Sequence, residues 1–217
     1  MGFAFAPGVS ACIADGQLVL LNLRAGRYAM LQTELASVLM RLIRCEASQA
    51  NDARLQDRLC DLGVLVHTSH SCPPEVCMQG LPTESFLERS WVRPSRGALL
   101  LSMARLLQAK ATLRSAGLGR TLDGLSSVTP AIARKVDAVV ATASKFAELR
   151  LVVRPLDRCL PLSIALARVA KRHDANVRLV LGVACNPFAA HAWVQQDNLV
   201  LNDLVDSVAS CTPILTI

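Results

Sequence analysis

Apolar and polar residues alternate with a period of two from Ala11 to Leu31, the pattern of paired, half-buried strands. Gln17-Leu18-Val19-Leu20-Leu21-Asn22-Leu23 reads as a strand and Arg24-Ala25-Gly26 as a turn. Arg27-Tyr28-Ala29-Met30-Leu31 is then the returning strand of a hairpin. The period changes after Thr33, whose hydroxyl can cap a helix: Leu35, Val38, Leu39, Leu42 and Ile43 recur at helical spacing. A second helix is predicted from about Asp52 to Leu62, stopped by Gly63. Gly63-Val64-Leu65-Val66 returns as a short strand.

This β-β-α-α-β order predicts a small unit of roughly winged-helix type over residues 1–67. Residues 68–83, with Pro73-Pro74 and clustered small polar side chains, read as a linker. The remainder, 84–217, begins helical. Leu99–Ala116 is apolar at helical spacing and ends at Gly117. A further helix opens with Thr129 and Pro130 and buries Ile132, Val136, Val139, Val140, Ala143 and Phe146. The last segment is α then β. A helix runs from about Cys159 to His173 on Leu162, Leu166 and Val169. Strands follow at Val177–Val183, Ala189–Gln195 and Leu199–Asp203.

Composition narrows the class. Hydrophobic residues are 52% of the 217, enough for a sizeable core and too many for global disorder. No basic residue precedes Arg24, so no secretory signal is read, and no apolar run is long enough for stable membrane insertion. A cytoplasmic protein with eight thiols, rather than disulfides, is expected. The net charge is +6, but the cations are dispersed and aromatic residues are only 4%, which argues against a nucleic-acid surface. An acidic peptide partner explains the charge equally well.

The candidate chemistry lies near the C-terminus, in the order Cys159-Leu160-Pro161, His191-Ala192-Trp193 and Asn202-Asp203. A helix N-terminus lowers a thiol pKa, and Pro161 suits a first helical turn. A nucleophilic thiol needs a base, and the base needs a group that fixes its tautomer. His191 sits among small and apolar residues, where a polar ring needs a partner. Buried structural roles for the same side chains are the plain alternative. Hairpin register decides between Asp203 and Asn202 as that partner. A three-residue loop, Gln196-Asp197-Asn198, sets Asp203 across from His191. A two-residue loop sets Leu204 there and turns Asn202 to the histidine's face. The expectation is the three-residue register, with Asp203. His67, His70, Cys72 and Cys77 are of ligand type, but their spacing fits no standard zinc knuckle, so no metal is assigned. No phosphate-binding glycine loop is present, and no cofactor is expected.

The runs Cys159-Leu160-Pro161, Arg178–Val183, Asn186–Val194 and Val200–Asp203 resemble the B proteins of lasso-peptide biosynthesis, which are transglutaminase-like cysteine peptidases. Phe86-Leu87-Glu88-Arg89-Ser90-Trp91 is similar to a motif opening the same domain. The resemblance implies an α+β chain: a winged-helix-like leader-recognition module, then a transglutaminase/papain-like peptidase domain. It implies that Cys159, His191 and Asp203 are catalytic. The partners implied are a precursor's leader peptide and an ATP-dependent, asparagine-synthetase-like cyclase. Gln195 departs from the acidic residue that many such folds place shortly after His-x-Trp. Arg27, Tyr28, Ala29, Met30 and Leu31 are expected to bind the leader by strand addition, with the Asp52–Leu62 helix as the far wall. Acyl transfer to an amine, or a non-catalytic peptide- or DNA-binding module, are the alternatives. Two Asp against two Arg in Asp52–Arg58 weaken the DNA reading.

Overall fold

A computed structural model describes residues 2–69, 73–89, 94–126, 136–149, 159–172 and 176–217. The N-terminal half contains β1 (Gly2–Phe5), β2 (Val9–Ala14), β3 (Gln17–Asn22), β4 (Arg27–Met30), α1 (Thr33–Ile43), α2 (Asp52–Asp61) and β5 (Leu65–Thr68). The expected β-β-α-α-β order is thus extended by two strands in front. β2, β3 and β4 form a meander, and β1 pairs antiparallel with β5 as a separate two-stranded sheet. Thr33 is the first helical residue, not the cap, and Gln32 occupies the cap without a side-chain bond. Arg41 on α1 grips Asp52 at the start of α2 through two nitrogens, Nε at 3.0 Å and Nη2 at 2.5 Å. The planar guanidinium matches the carboxylate fork and fixes the two helices side by side.

Period-two alternation gives the β2–β3 hairpin two buried faces. Ala11, Leu18 and Leu20 pack with Leu35, Val38, Leu39, Leu59 and Leu65 beneath α1 and α2. Cys12, Ala14, Val19 and Leu21 point the other way, into the main core of the C-terminal half. Burying Val19 and Leu21 stabilises this junction by roughly 1.5–3 kcal/mol each. β10 (Thr212–Thr216) lies directly against β2.

The C-terminal half contains β6 (Glu84–Ser85), a 3-10 turn at Phe86–Glu88, α3 (Arg96–Ser126), α4 (Val136–Ala147), α5 (Cys159–Arg172), β7 (Arg178–Cys185), β8 (Phe188–Gln196), β9 (Leu199–Val200), α6 (Val205–Ala209) and β10. The five-stranded sheet has the order β10-β7-β8-β9-β6. α5 covers one face, burying Leu162 and Leu166 in the cluster that holds Leu179, Leu181, Ala192 and Val194. α6 closes the other face, where Val208 and Cys211 cluster with Val180 and Trp193. The expected stop at Gly117 is instead a break within α3. Its φ of +77° suits glycine, and the helix resumes to Ser126. Arg168 of α5 spans the break, donating to the Thr112 hydroxyl on one side and the Thr121 carbonyl on the other. The Gly119 N–H donates to the Leu23 carbonyl at 3.1 Å, docking the end of the first hairpin strand on the restart of the helix. The Thr129-Pro130 helix start, Ile132, Trp91, Cys72, His70 and His173 lie outside the described residues.

The expected hairpin register is corrected. Gln195 pairs with Val200 and Gln196 with Leu199, so the loop is the two-residue Asp197-Asn198, with Asp197 at a φ of +49°. β9 stops at Val200 rather than running to Asp203. The Leu201 N–H still reaches the Val194 carbonyl at 2.8 Å, but the next ladder bond is made by a side chain: the Val194 N–H donates to Asn202 Oδ1 at 2.7 Å. The backbone leaves the sheet in that bend, which frees Asp203 from the alternation that would have turned it away.

Candidate functional site

Cys159 is the first residue of α5, partly exposed, and lines the same cleft as His191. Burial raises its thiol pKa, but that is outweighed by the bond to His191, the imidazolium charge and the backbone N–H groups of Leu160 and Ala192. The result is a thiol lowered from its ordinary value. His191 stands on β8, paired across to Gly182 of β7. Its Nε2 meets Asp203 Oδ2 at 2.8 Å, which leaves Nδ1 for the thiol. Burial lowers the imidazole pKa. The bonds and charges of Asp203 and Cys159 overcome this and lift it to about 9. The three side chains therefore favour a thiolate–imidazolium pair, with the carboxylate behind it.

The surroundings explain how each member is held. The Leu204 N–H donates to Asp203 Oδ1 at 2.8 Å, and the Ser85 hydroxyl donates to the Asp203 backbone carbonyl at 2.7 Å. Edge strand β6 thereby pins the carboxylate's backbone. Ser163, one helical turn beyond Cys159, donates to the Ala192 carbonyl at 2.9 Å and accepts from Asn202 Nδ2 at 2.8 Å. This buried, neutral chain ties α5 to β8 beside Cys159 and His191. Trp193 shares a strand face with His191, its ring stacked at 6.2 Å, and is fully buried. Its indole N–H donates to Gln195 Oε1 at 2.7 Å, so the glutamine that departs from the acidic pattern holds the tryptophan. A Cβ on Gly182 would lie 2.7 Å from the Trp193 ring, so only glycine leaves room for it.

The sequence reading missed Ser163, Ser85 and the Ala192 N–H. Helical spacing from Cys159 was a signal for Ser163. Nothing local marks Ser85, which arrives from a distant strand. Asn202 enters, but as a prop for Val194 and Ser163 and not for His191.

The five residues expected to bind a leader are divided by the structure. β4 is an edge of its sheet among the described residues, with Arg27, Ala29 and Met30 exposed. Met30 and Leu31 border a groove of about 510 Å3 whose other wall is α1, through Ala36 and Met40. The expected wall, α2, instead lines a neighbouring groove that shares Thr33, Ser37 and Arg41 of α1 with the first. Tyr28 faces the Cys159 cleft. Among the described residues no set of three His, Cys, Asp or Glu side chains could hold a metal ion.

Known proteins resemble this chain in two respects. The family model of the transglutaminase-like superfamily matches residues 97–216. Over 45 residues the chain is 40% identical to the microcin J25-processing protein McjB of Escherichia coli, a stretch covering 21% of this chain and 22% of that protein. The chain thus spans about a fifth of the curated relative it matches. No solved structure matches. Both findings bear out the resemblance to the B proteins of lasso-peptide biosynthesis.

Proposed function

We propose, from the premise that this chain belongs to the transglutaminase-like superfamily, that it is a cysteine peptidase removing the leader from a ribosomally made lasso-peptide precursor. The observation that carries the reading is Cys159, at the head of α5, lining one cleft with His191, whose Nε2 meets Asp203 at 2.8 Å. Cys159 Sγ attacks the scissile carbonyl carbon. His191, already holding the thiol's proton, passes it to the leaving nitrogen, and the carbon–nitrogen bond breaks. The core peptide departs with a free N-terminal amine, and the leader remains as a thioester. Water then gives a proton to His191 and its oxygen to the carbonyl. The leader leaves as a carboxylic acid and the thiolate returns with the imidazolium. Asp203 orients the imidazole and stabilises its charge.

The N-terminal unit takes the winged-helix-like leader-recognition role in this reading. β4, the outer strand of its sheet among the described residues, offers its outer edge to an extended peptide, and the β4–α1 groove receives its side chains. The freed amine is the substrate of the second partner, an ATP-dependent cyclase that joins it to a side-chain carboxylate. The precursor comes from ribosomes, so the reaction belongs in the cytoplasm. Among the described residues no helix is long and apolar enough to cross a membrane.

Mass spectrometry of precursor incubated with the full chain, with and without the cyclase, tests this. Leader and core should sum to the precursor plus one water, and Cys159→Ala should release neither. Cleavage by Cys159→Ala, or a product carrying an added amine in place of water, rejects hydrolysis by this thiol.

A further inference from the structure

The cleft at Cys159 holds about 460 Å3, and both halves of the chain line it. Cys159, Leu160 and His191 form its floor. Leu113 and Leu118, on either side of the Gly117 break, form one wall. Tyr28 and the Arg24–Gly26 turn close it from the N-terminal half. Tyr28 is held in place. Its ring meets Phe188 edge-on at 5.7 Å, and its cross-strand neighbour Leu21 is fully buried. Burial first, then the Cys159 and Cys12 sulfurs nearby, push its phenol up to about 12, so it stays neutral at working pH. A side chain entering this cleft meets aliphatic walls, a neutral ring and the Cys159–His191 ion pair, with the exposed Arg24 at the rim. Burying a further charge against those walls is costly, most of all a cation beside Arg24 and His191.

We propose that Tyr28 is a specificity-determining residue of the cleft: with Leu113, Leu118 and Leu160 it forms a pocket for an uncharged side chain of the precursor beside the scissile bond. This rests on the peptidase reading above. It separates Tyr28 from Arg27, Ala29, Met30 and Leu31. Those four keep the leader-docking role, while Tyr28 selects what is cut.

The test is kcat/KM for the full-length wild type, Tyr28→Phe and Tyr28→Ala on precursors in which each residue flanking the cleaved bond is replaced in turn by Glu or Lys. Leader affinity is followed in parallel by anisotropy of a labelled leader peptide. The wild type should disfavour the charged residue by about tenfold or more at one flanking position. Tyr28→Phe should keep that discrimination. Tyr28→Ala should reduce it below about threefold with leader affinity unchanged, as expected when a pocket wall is lost. Unchanged discrimination in Tyr28→Ala overturns the inference, as does a loss of leader affinity that matches the loss of cleavage. If Tyr28→Ala does not fold, Leu118→Ala, from the opposite wall, must relax the same position, and failure to do so overturns the inference too. A wild type that cuts no precursor, or a Cys159→Ala that does, sinks the peptidase reading and this inference with it. An active wild type, an inert Cys159→Ala and an indifferent Tyr28→Ala sink this inference alone.

Discussion

Strand β8 has a neutral side and a charged side, served by consecutive residues of one bend. Towards α5, Asn202 completes a chain with Ser163, Val194 and Ala192 in which the side chains are buried and paired. Towards the cleft, Asp203 supports His191 and Cys159, all three within reach of water. The neutral side carries no charge to desolvate, so its bonds act as fixed struts. The charged side keeps partial solvent contact, which limits the penalty of holding a thiolate and an imidazolium together. Geometry is set on one side of the strand and reactivity on the other.

Substitution within the bend separates these roles. Asp203→Ala should lower kcat by about 10²–10⁴-fold, because the imidazolium loses its charge partner and its tautomer. Thermal melting of that variant should stay near wild type; an Asp203→Ala protein that is folded and fully active would remove Asp203 from the chemistry. The pH profile is the next largest effect. His191 is raised to about 9 and Cys159 is lowered, so activity should hold across neutral pH and fall as pH rises through about 9, where the leaving amine loses its proton donor. Raising the folded pKa above the ordinary 6.5 also means that the stability from this pair is full below about 6.5 and is lost as pH climbs through 9. Asp203→Asn should move the alkaline limb downwards, and a limb that stays in place would show that another group sets it.

Asn202→Ala probes the other side. It strands the Val194 N–H and one Ser163 bond in the core and should cost about 1–3 kcal/mol in denaturant unfolding. The kcat of the folded fraction should change by less than about tenfold, and a larger fall would mean that the strut also tunes the thiol. Gly182→Ala should be the mildest. Its Cβ would press on the buried Trp193 ring, for about 1–3 kcal/mol of overpacking, with leader affinity unchanged. A variant as stable as wild type would mean that the ring shifts freely.

Much of this region was legible because its signals are local. Period-two and helical patterns placed Cys159 at a helix start and His191 on a strand. Asp203 was named from a register that the structure does not have. The carboxylate reaches His191 because β9 ends early and Asn202 supplies the next ladder bond, an exchange of backbone for side chain that periodicity does not encode. β1 was missed because Gly2–Phe5 is short and its partner, β5, lies far along the chain. Gly117 read as a stop because a positive φ usually ends a helix; here Arg168 holds both sides of the break. The place of Tyr28 in the cleft depends on how two halves dock, which no window of sequence contains.

The doubly buried β2–β3 hairpin has a consequence for synthesis. Its first face can close as soon as α1, α2 and β5 exist, all within the opening third of the chain. Its second face waits for β10, which begins at Thr212, far along the chain from β5. At about 5–20 residues per second, the roughly 145 residues from the end of β5 to β10 take on the order of 7–30 s to emerge from a ribosome. Throughout that interval Cys12, Ala14, Val19 and Leu21 lack the cover of β10. A nascent chain stalled before β7 therefore presents a hairpin closed on one face and sticky on the other. That intermediate, and not the finished protein, is the species that a chaperone would hold.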